Sequence, residues 1–314
     1  MNTRVRMIEI DEGSDAQRLD NFLMKTLKGA PKSLVYRIIR KGEVRVNKGR
    51  AKPDTRLYIG DVVRVPPVKI DDSSVQHKPG AGLLQLLEHS TVYESNELLI
   101  VNKPSGLAVH GGSGVNLGLI EALRAQAPDG AYLELVHRLD RDTSGCIMIA
   151  KKRRMLKYLQ DLLREAGSIQ KTYWALVDGR WPRRLTMVDA ALYKREARGG
   201  ERYVEVNGRE GKASKTRFQL LKHYREASLV EAKPLTGRTH QIRVHAKHAG
   251  HALVGDDKYG AESFNRLMRN KGFKRLFLHA KALSLPLPNG ERLEVEAELP
   301  EELHKALLKL EPLS

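Results

Sequence analysis

Apolar positions change period along the first 69 residues. Over residues 18–27 they fall at Leu19, Phe22, Leu23 and Leu27, the spacing of a helix with one buried stripe. Gly29-Ala30-Pro31 ends that helix, and Ser33 is placed to cap a second whose stripe is Leu34, Val35, Ile38 and Ile39. Lys41-Gly42 stops it. Glu43 to Asn47 then alternates with period two, Lys48-Gly49 makes a turn, and Leu57 to Val65 supplies further strand. Two helices followed by a small sheet are expected over residues 15–69. Residues 71–82 are rich in Ser, Gly and Pro and carry no period, so 70–88 reads as a flexible linker.

Beyond residue 89 the pattern is mostly that of strands. Val92–Glu94 and Leu98–Asn102 flank a Ser-Asn turn and form a hairpin. Leu117 to Ala125 is a short helix. Leu133–Val136 and Cys146–Ala150 are short apolar runs, expected as buried strands. Met155, Leu156, Leu159, Leu162 and Leu163 mark an amphipathic helix, and Lys171 to Val177 another strand. Tyr203–Val206, Ser214–Leu221 and Ser228–Lys233 read as a meander between Gly-rich turns. Thr239 is placed to cap a helix running to about Ala249, where Gly250 ends it. Leu276 to Ala280 is a late strand. The class is α+β: a small αα-then-β module, a linker, and a mixed, mainly antiparallel sheet with flanking helices over 89–314.

Charge changes the picture of the first module. The chain of 314 residues has a formal net charge of +17, which points to a polyanionic partner, nucleic acid before an acidic membrane surface. Residues 18–69 hold fourteen Lys or Arg against four Asp or Glu, so more than half of the excess lies in about a sixth of the chain. Lys32, Arg37, Arg40, Lys41, Arg45 and Lys48 cluster around the second helix and first strand, where each could contact phosphate. A solvated charged face is the plainer alternative. Aromatics are few there, so base stacking is not the obvious mode. The single cysteine, Cys146, sits in an apolar run and excludes an internal disulfide or a cysteine zinc site. With no apolar leader and no run of membrane-spanning length, a cytoplasmic protein is expected.

The chemistry concentrates between two apolar runs. His137 to Gly145 holds two Asp, two Arg, a His, a Thr and a Ser, a density that is costly near a core unless the groups pair or work. Arg138 could hold Asp140 or Asp142 in a structural ion pair. The glycines of His110 to Gly114 lack the Gly-Lys-Ser/Thr ending of a phosphate loop, and a mobile loop near the site fits them and Lys103-Pro104-Ser105-Gly106 better. His240, His245, His248 and His251 lie close together, but their spacings fit no zinc motif, so no metal is expected.

These residues also resemble a family. His137-Arg138-Leu139-Asp140 followed by Arg141-Asp142-Thr143-Ser144-Gly145 resembles the catalytic signature of the RluA-type pseudouridine synthases. Lys171-Thr172-Tyr173 resembles that family's second motif, and Leu235 to His245 its third. Arg18-Leu19-Asp20, Ser33 to Lys41, Gly42 to Asn47 and Gly60-Asp61 are similar to the S-four-type RNA-binding domain. The resemblance implies isomerisation of uridine to pseudouridine after base flipping, with no cofactor. Asp140 would be the catalytic carboxylate, Arg243 its cationic partner, and Tyr173 a base or a ring lying against the uracil. Arg138 would fill the space that the flipped nucleotide leaves.

The loop Val109 to Gly114 is closest to members acting on the large ribosomal subunit. That implies three uridines around the peptidyl-transferase centre of 23S ribosomal RNA, free or in a precursor subunit. Other rRNA or tRNA targets remain an alternative, as does a non-catalytic RNA-binding assembly factor.

Overall fold

Most of the elements that apolar periodicity placed are formed, together with others that it did not place, and they gather into two units. The computed structural model describes residues 4–27, 29–68, 79–111, 117–128, 130–165, 167–196 and 202–313. One unit comprises Met1–Lys78 with Lys152–Arg154, the other Pro79–Lys151 with Met155–Ser314.

The first unit runs β1 (Arg6–Glu9), α1 (Leu19–Thr26), α2 (Lys32–Arg40), β2 (Arg45–Val46), β3 (Gly49–Arg50) and β4 (Val62–Val65). Its sheet has the order β1-β4-β2-β3. Leu19, Phe22 and Leu23 of α1 and Val35, Ile38 and Ile39 of α2 close over Val44, Leu57, Val63 and Val65. Burying such side chains stabilises by about 1.5–3 kcal/mol each. Strand β1 lies before residue 15, and its four residues pair antiparallel with β4. Pro31, not Ser33, precedes α2, and no side chain caps it; a residue without an N–H loses nothing at a helix start. The hairpin turn sits at Asn47-Lys48 rather than Lys48-Gly49. Both have positive φ, 50° and 67°, which a two-residue type I′ connection requires. Asn47 is fixed there by its side chain, which donates to Asp61 at 2.7 Å and accepts the Val62 N–H at 2.8 Å.

Asp20 is the buried ionic feature of this unit. Its carboxylate accepts two bonds from Arg18, at 3.1 and 2.7 Å, one from the Tyr36 hydroxyl at 3.1 Å and one from the Asn21 N–H at 2.9 Å. Arg18, above all, holds its pKa below the usual carboxylate value.

The second unit begins with α3 (Ala81–Glu88), which occupies part of the stretch expected as linker. Leu87 is buried there and Leu83 packs beside it, because apolar positions four apart give one face something to bury. Residues 70–78 of that stretch lie outside the described residues. Then follow β5 (Thr91–Glu94), β6 (Leu98–Lys103), α4 (Leu119–Gln126), β7 (Glu134–Leu135), β8 (Ser144–Ala150), α5 (Arg153–Arg164), β9 (Gln170–Asp178), β10 (Met187–Asp189), β11 (Leu192–Glu196) and β12 (Arg202–Val206). The unit ends with β13 (Lys215–His223), β14 (Ala227–Pro234), α6 (Gln241–His248), α7 (Glu262–Asn270), β15 (Leu278–Pro286), β16 (Arg292–Glu296) and α8 (Glu301–Leu307).

Ten strands form one sheet in the order β10-β13-β14-β9-β15-β8-β6-β5, with β16 on β15 and β7 on β8. Only β15 with β8 is parallel among these pairs. Strands β11 and β12 make a separate hairpin. Strand β8 is buried on both faces. Ile147 and Ile149 pack with α4 and α6, while Cys146 and Met148 pack with α5. On β9, Tyr173, Ala175 and Val177 share the α4/α6 face, and Leu176 faces α7 and α8.

The Asp20 cluster predicts a pH dependence. A carboxyl with a lowered pKa in the folded state adds stability above its unfolded pKa of about 4. That stability is lost as the pH falls through the folded value. Protection factors of amides in α1 and α2, taken relative to intrinsic exchange at each pH, should therefore fall in wild type on acidification through and below pH 4. In Asp20→Asn they should already be lower at pH 7 and fall less with acid, and a parallel acid response in the two proteins would contradict this.

Candidate active site

The loop between β7 and β8 carries Asp140, and two neighbours hold its backbone. Gly145, the second residue of β8, has φ 109°, and a Cβ there would lie 2.3 Å from the Ala280 carbonyl. Only glycine lets β15 come that close beneath the loop. From the other side comes Lys103, fully buried, whose ammonium donates to the carbonyls of Pro104, Leu107 and Arg141 at 2.8, 2.8 and 3.0 Å. The Gly106 N–H donates to Arg141 and the Ser105 hydroxyl to the Asp142 carbonyl. Lys103-Pro104-Ser105-Gly106 is thus a hydrogen-bonded strap across the Asp140 loop, not the mobile loop its glycine suggested. Residues 112–116 of the following glycine stretch lie outside the described residues. His137 accepts the Met148 N–H on Nε2 at 3.1 Å. Burial, then the charge of Lys171, pushes its pKa down to about 3, so it serves as a neutral acceptor.

Asp140 is 22% exposed, and Arg243 Nη1 stands 3.4 Å from its Oδ2. Arg243 projects from α6. Its Nε and Nη2 donate to the two oxygens of Asp256 at 2.7 and 2.8 Å, a bidentate fork that fixes the guanidinium plane. Asp256 has no exposed side-chain surface and also accepts the N–H groups of Lys258 and Tyr259. Gly255 precedes it at φ 72°, where a Cβ would meet the Arg275 carbonyl at 2.1 Å. Burial opposes the charge of Arg243, but the bond to Asp256 and the charges of Asp256 and Asp140 outweigh that, and its pKa is raised. The Tyr259 ring packs 5.0 Å from the guanidinium carbon.

Helix α6 is entered through His240, at φ 53°, and not through a Thr239 cap. The Gln241 carboxamide does the closing. It accepts from the Thr236 hydroxyl and the Arg238 N–H, and donates to the Lys215 carbonyl and Thr216. His240 Nε2 lies 3.8 Å from Asp140 Oδ2.

Tyr173 is buried on the same core face as Leu139 and Ile242. Burial first, and the Asp140 charge next, raise its pKa well above the usual phenol value. Arg138 is exposed and forms no ion pair among the described residues; Asp142 pairs with Arg141 instead, at 3.1 Å. The structural ion pair left open for Arg138 is therefore not formed.

The structure thus brings Asp140, Arg243 and Tyr173 together and leaves Arg138 at the surface of the same loop. In the first unit, Lys32, Arg37, Arg40, Lys41 and Lys48 are exposed, whereas Arg45 is half-buried and donates to the Lys48 carbonyl at 3.3 Å. The four histidines diverge. His245 is buried between Thr216 and the Ala190 carbonyl, His251 bonds Asp178, and His248 is exposed. No group of three metal-ligating side chains occurs among the described residues. Sequence reasoning gave no role to Lys103, Gln241 or Asp256.

The fold is that of the RNA pseudouridylate synthases, and the chain belongs to that family. The family profile described as RNA pseudouridylate synthase matches residues 97–248, and that of the S4 domain residues 17–63. The chain is 50% identical over 312 residues to the ribosomal large subunit pseudouridine synthase C of Haemophilus influenzae, covering 99% of this chain and 96% of that one. It is 49% identical over 310 residues to the protein of the same description from Escherichia coli, covering 98% and 97%. Among solved structures, human RNA pseudouridylate synthase domain containing 1 matches with a TM-score of 0.61 and 30% identity, over 76% of this chain and 92% of that one. Human RNA pseudouridylate synthase domain containing 4 matches at 0.60 and 27%, over 73% and 97%. The protein is a pseudouridine synthase, an isomerase. No described helix is long and apolar enough to cross a membrane.

Arg243 is committed to Asp256 more tightly than to Asp140, which predicts a contrast. Asp256→Asn strands a buried guanidinium and should cost roughly 3–5 kcal/mol in urea unfolding. Asp140→Asn, at a partly exposed position, should cost less than about 1 kcal/mol. Equal losses would contradict the assignment of Asp256 as the structural partner.

Proposed function

We propose that the protein isomerises specific uridines of 23S ribosomal RNA, free or in a precursor large subunit, using Asp140 after the nucleotide is flipped out. The observation that carries this is the Asp140 carboxylate beside a guanidinium fixed by a second, buried carboxylate. The relatives are named for action on the ribosomal large subunit, which supports the substrate. The loop resemblance supports three target sites around the peptidyl-transferase centre.

Pseudouridine formation breaks the N1–C1′ bond, turns the uracil, joins C5 to C1′ and removes the C5 proton. The base is rearranged within one nucleoside, with no net redox or hydrolysis, so the chemistry asks for no cofactor. Asp140 serves either as nucleophile at C1′ or as the base that takes a ribose proton. Arg243 offsets its negative charge and, because it cannot turn, fixes where the carboxylate points. Tyr173, held as the neutral phenol, packs against the uracil and is a poor proton acceptor at neutral pH. Arg138, exposed and without an ion pair among the described residues, fills the stack the target leaves. The basic face of α2 holds RNA phosphate, sustaining a high concentration of substrate near the second unit.

Purified protein incubated with unmodified 23S transcript should give carbodiimide-dependent primer-extension stops at a few discrete uridines. Asp140→Asn should give none. Stops that persist in the mutant would remove the carboxylate from the mechanism, and stops only on tRNA would remove the proposed substrate. Replacing Lys32, Arg37 and Arg40 together by Ala should weaken RNA binding and reduce the slope of log K against log salt by about 2. The chemical step at saturating RNA should be unchanged. An unaltered slope would free those side chains from phosphate contact.

A further inference from the structure

His240 enters α6 in the left-handed region, at φ 53° and ψ 20°, a conformation a non-glycine residue keeps only when its surroundings hold it. Its ring is held. Nδ1 is 2.7 Å from the Tyr259 hydroxyl, and the two rings meet edge to face at 5.5 Å. The Tyr259 hydroxyl in turn receives the N–H of Val204, in β12, at 3.0 Å.

The protons can be counted. An amide N–H only donates, so the buried Tyr259 hydroxyl must place its own proton elsewhere. Among the described residues His240 Nδ1 is the acceptor that it meets. With Nδ1 accepting, a neutral imidazole carries its proton on Nε2, which faces Asp140 Oδ2 at 3.8 Å. Burial lowers the His240 pKa. Of the charged groups that face the ring, Asp140 and Asp256 raise it and Arg243 and Lys258 lower it, and the net direction is down. Arg243 Nη1 approaches the same oxygen, Oδ2. Two donors therefore converge on one oxygen of Asp140, and its other oxygen is the one left to meet the ribose.

We propose that His240, as the neutral Nε2–H tautomer set by Tyr259, is a positioning residue that shares with Arg243 the task of orienting Asp140. This rests on Asp140 being the reacting carboxylate. At 3.8 Å the contact in the free protein is electrostatic. A small rotation of the carboxylate when substrate enters brings Nε2–H into hydrogen-bond reach. The relay also makes the β11–β12 hairpin part of the site, because Val204 fixes the hydroxyl that fixes the imidazole.

The first test is a two-bond nitrogen–proton NMR spectrum of full-length protein labelled at histidine nitrogen, with Tyr259→Phe and a His240 variant to assign the signal. A neutral Nε2–H pattern for His240 at pH 7 is expected; an Nδ1–H pattern or an imidazolium overturns the proposal. The second is kinetic. A glutamine at 240 puts an N–H where Nε2 stands, and an asparagine does not reach. His240→Asn should lower kcat about ten- to hundredfold with KM for RNA little changed, and His240→Gln should restore most of the loss. Equal activity in both variants, high or low, overturns the orienting role.

Tyr259→Phe removes the donor to Nδ1 and so favours protonation of the ring. Without that donor the tautomer is no longer fixed, so the NMR spectrum of Tyr259→Phe should depart from the pure neutral Nε2–H pattern, and an unchanged pattern counts against the relay. Asp140→Asn run in parallel separates the two readings. If that variant is inactive while the tautomer is wrong, only the His240 role fails. If it is active, the carboxylate reading fails, and the NMR result still stands by itself.

Discussion

The site depends on the pair between Arg243 and Asp256. A buried guanidinium without a counter-charge is costly, and a single exposed carboxylate could neither neutralise nor orient it. Asp256 does both, with two short bonds to the fork and two backbone N–H groups of its own. That leaves one Arg243 nitrogen, Nη1, aimed outward at Asp140. The arrangement separates two functions that one carboxylate would confuse. The buried acid makes the cation rigid, and the half-exposed acid stays available to a reactant. The glycine before Asp256 and the glycine after Asp140 belong to the same design, since each admits a backbone that any side chain would push away.

Periodicity predicted most helices and strands because each has a one-sided or two-sided apolar pattern strong enough to decide its place. The misses have specific causes. Strand β1 is four residues in a charged segment, too short to show a period. Helix α3 was hidden by the Gly, Ser and Pro around it, although Leu83 and Leu87 gave it a buried face. The α6 entry misled because Thr239 is a good capping residue, while the groups that close the turn, Thr236 and Gln241, act through a tertiary contact with β13. The roles of Lys103 and Asp256 were illegible for a related reason. A lysine that solvates three carbonyls and an acid that braces an arginine are defined by what the fold places around them. The motif that carries Asp140 was legible as a resemblance; its setting became visible only in three dimensions.

The two units use charge in opposite ways. In the first, the outward face of α2 presents Lys32, Arg37, Arg40 and Lys41 without ion pairs among the described residues, a field that attracts phosphate and weakens with salt. Asp20, its one buried acid among the described residues, is consumed in tying Arg18 and Tyr36 to the fold. In the second unit the central charges are paired, and the resulting field is local, directed and shielded from ions. Capture and chemistry thus respond differently to ionic strength.

Strand β15 has a consequence for the timing of synthesis. It is the next-to-last strand in the chain, yet it lies between β8, which follows the Asp140 loop, and β9, which carries Tyr173. Until residues 278–286 have left the ribosomal tunnel, the two halves of the sheet have no strand to join them, and the carbonyl of Ala280 is not there to receive Gly145. A nascent chain therefore cannot close its large sheet until its late strands have emerged.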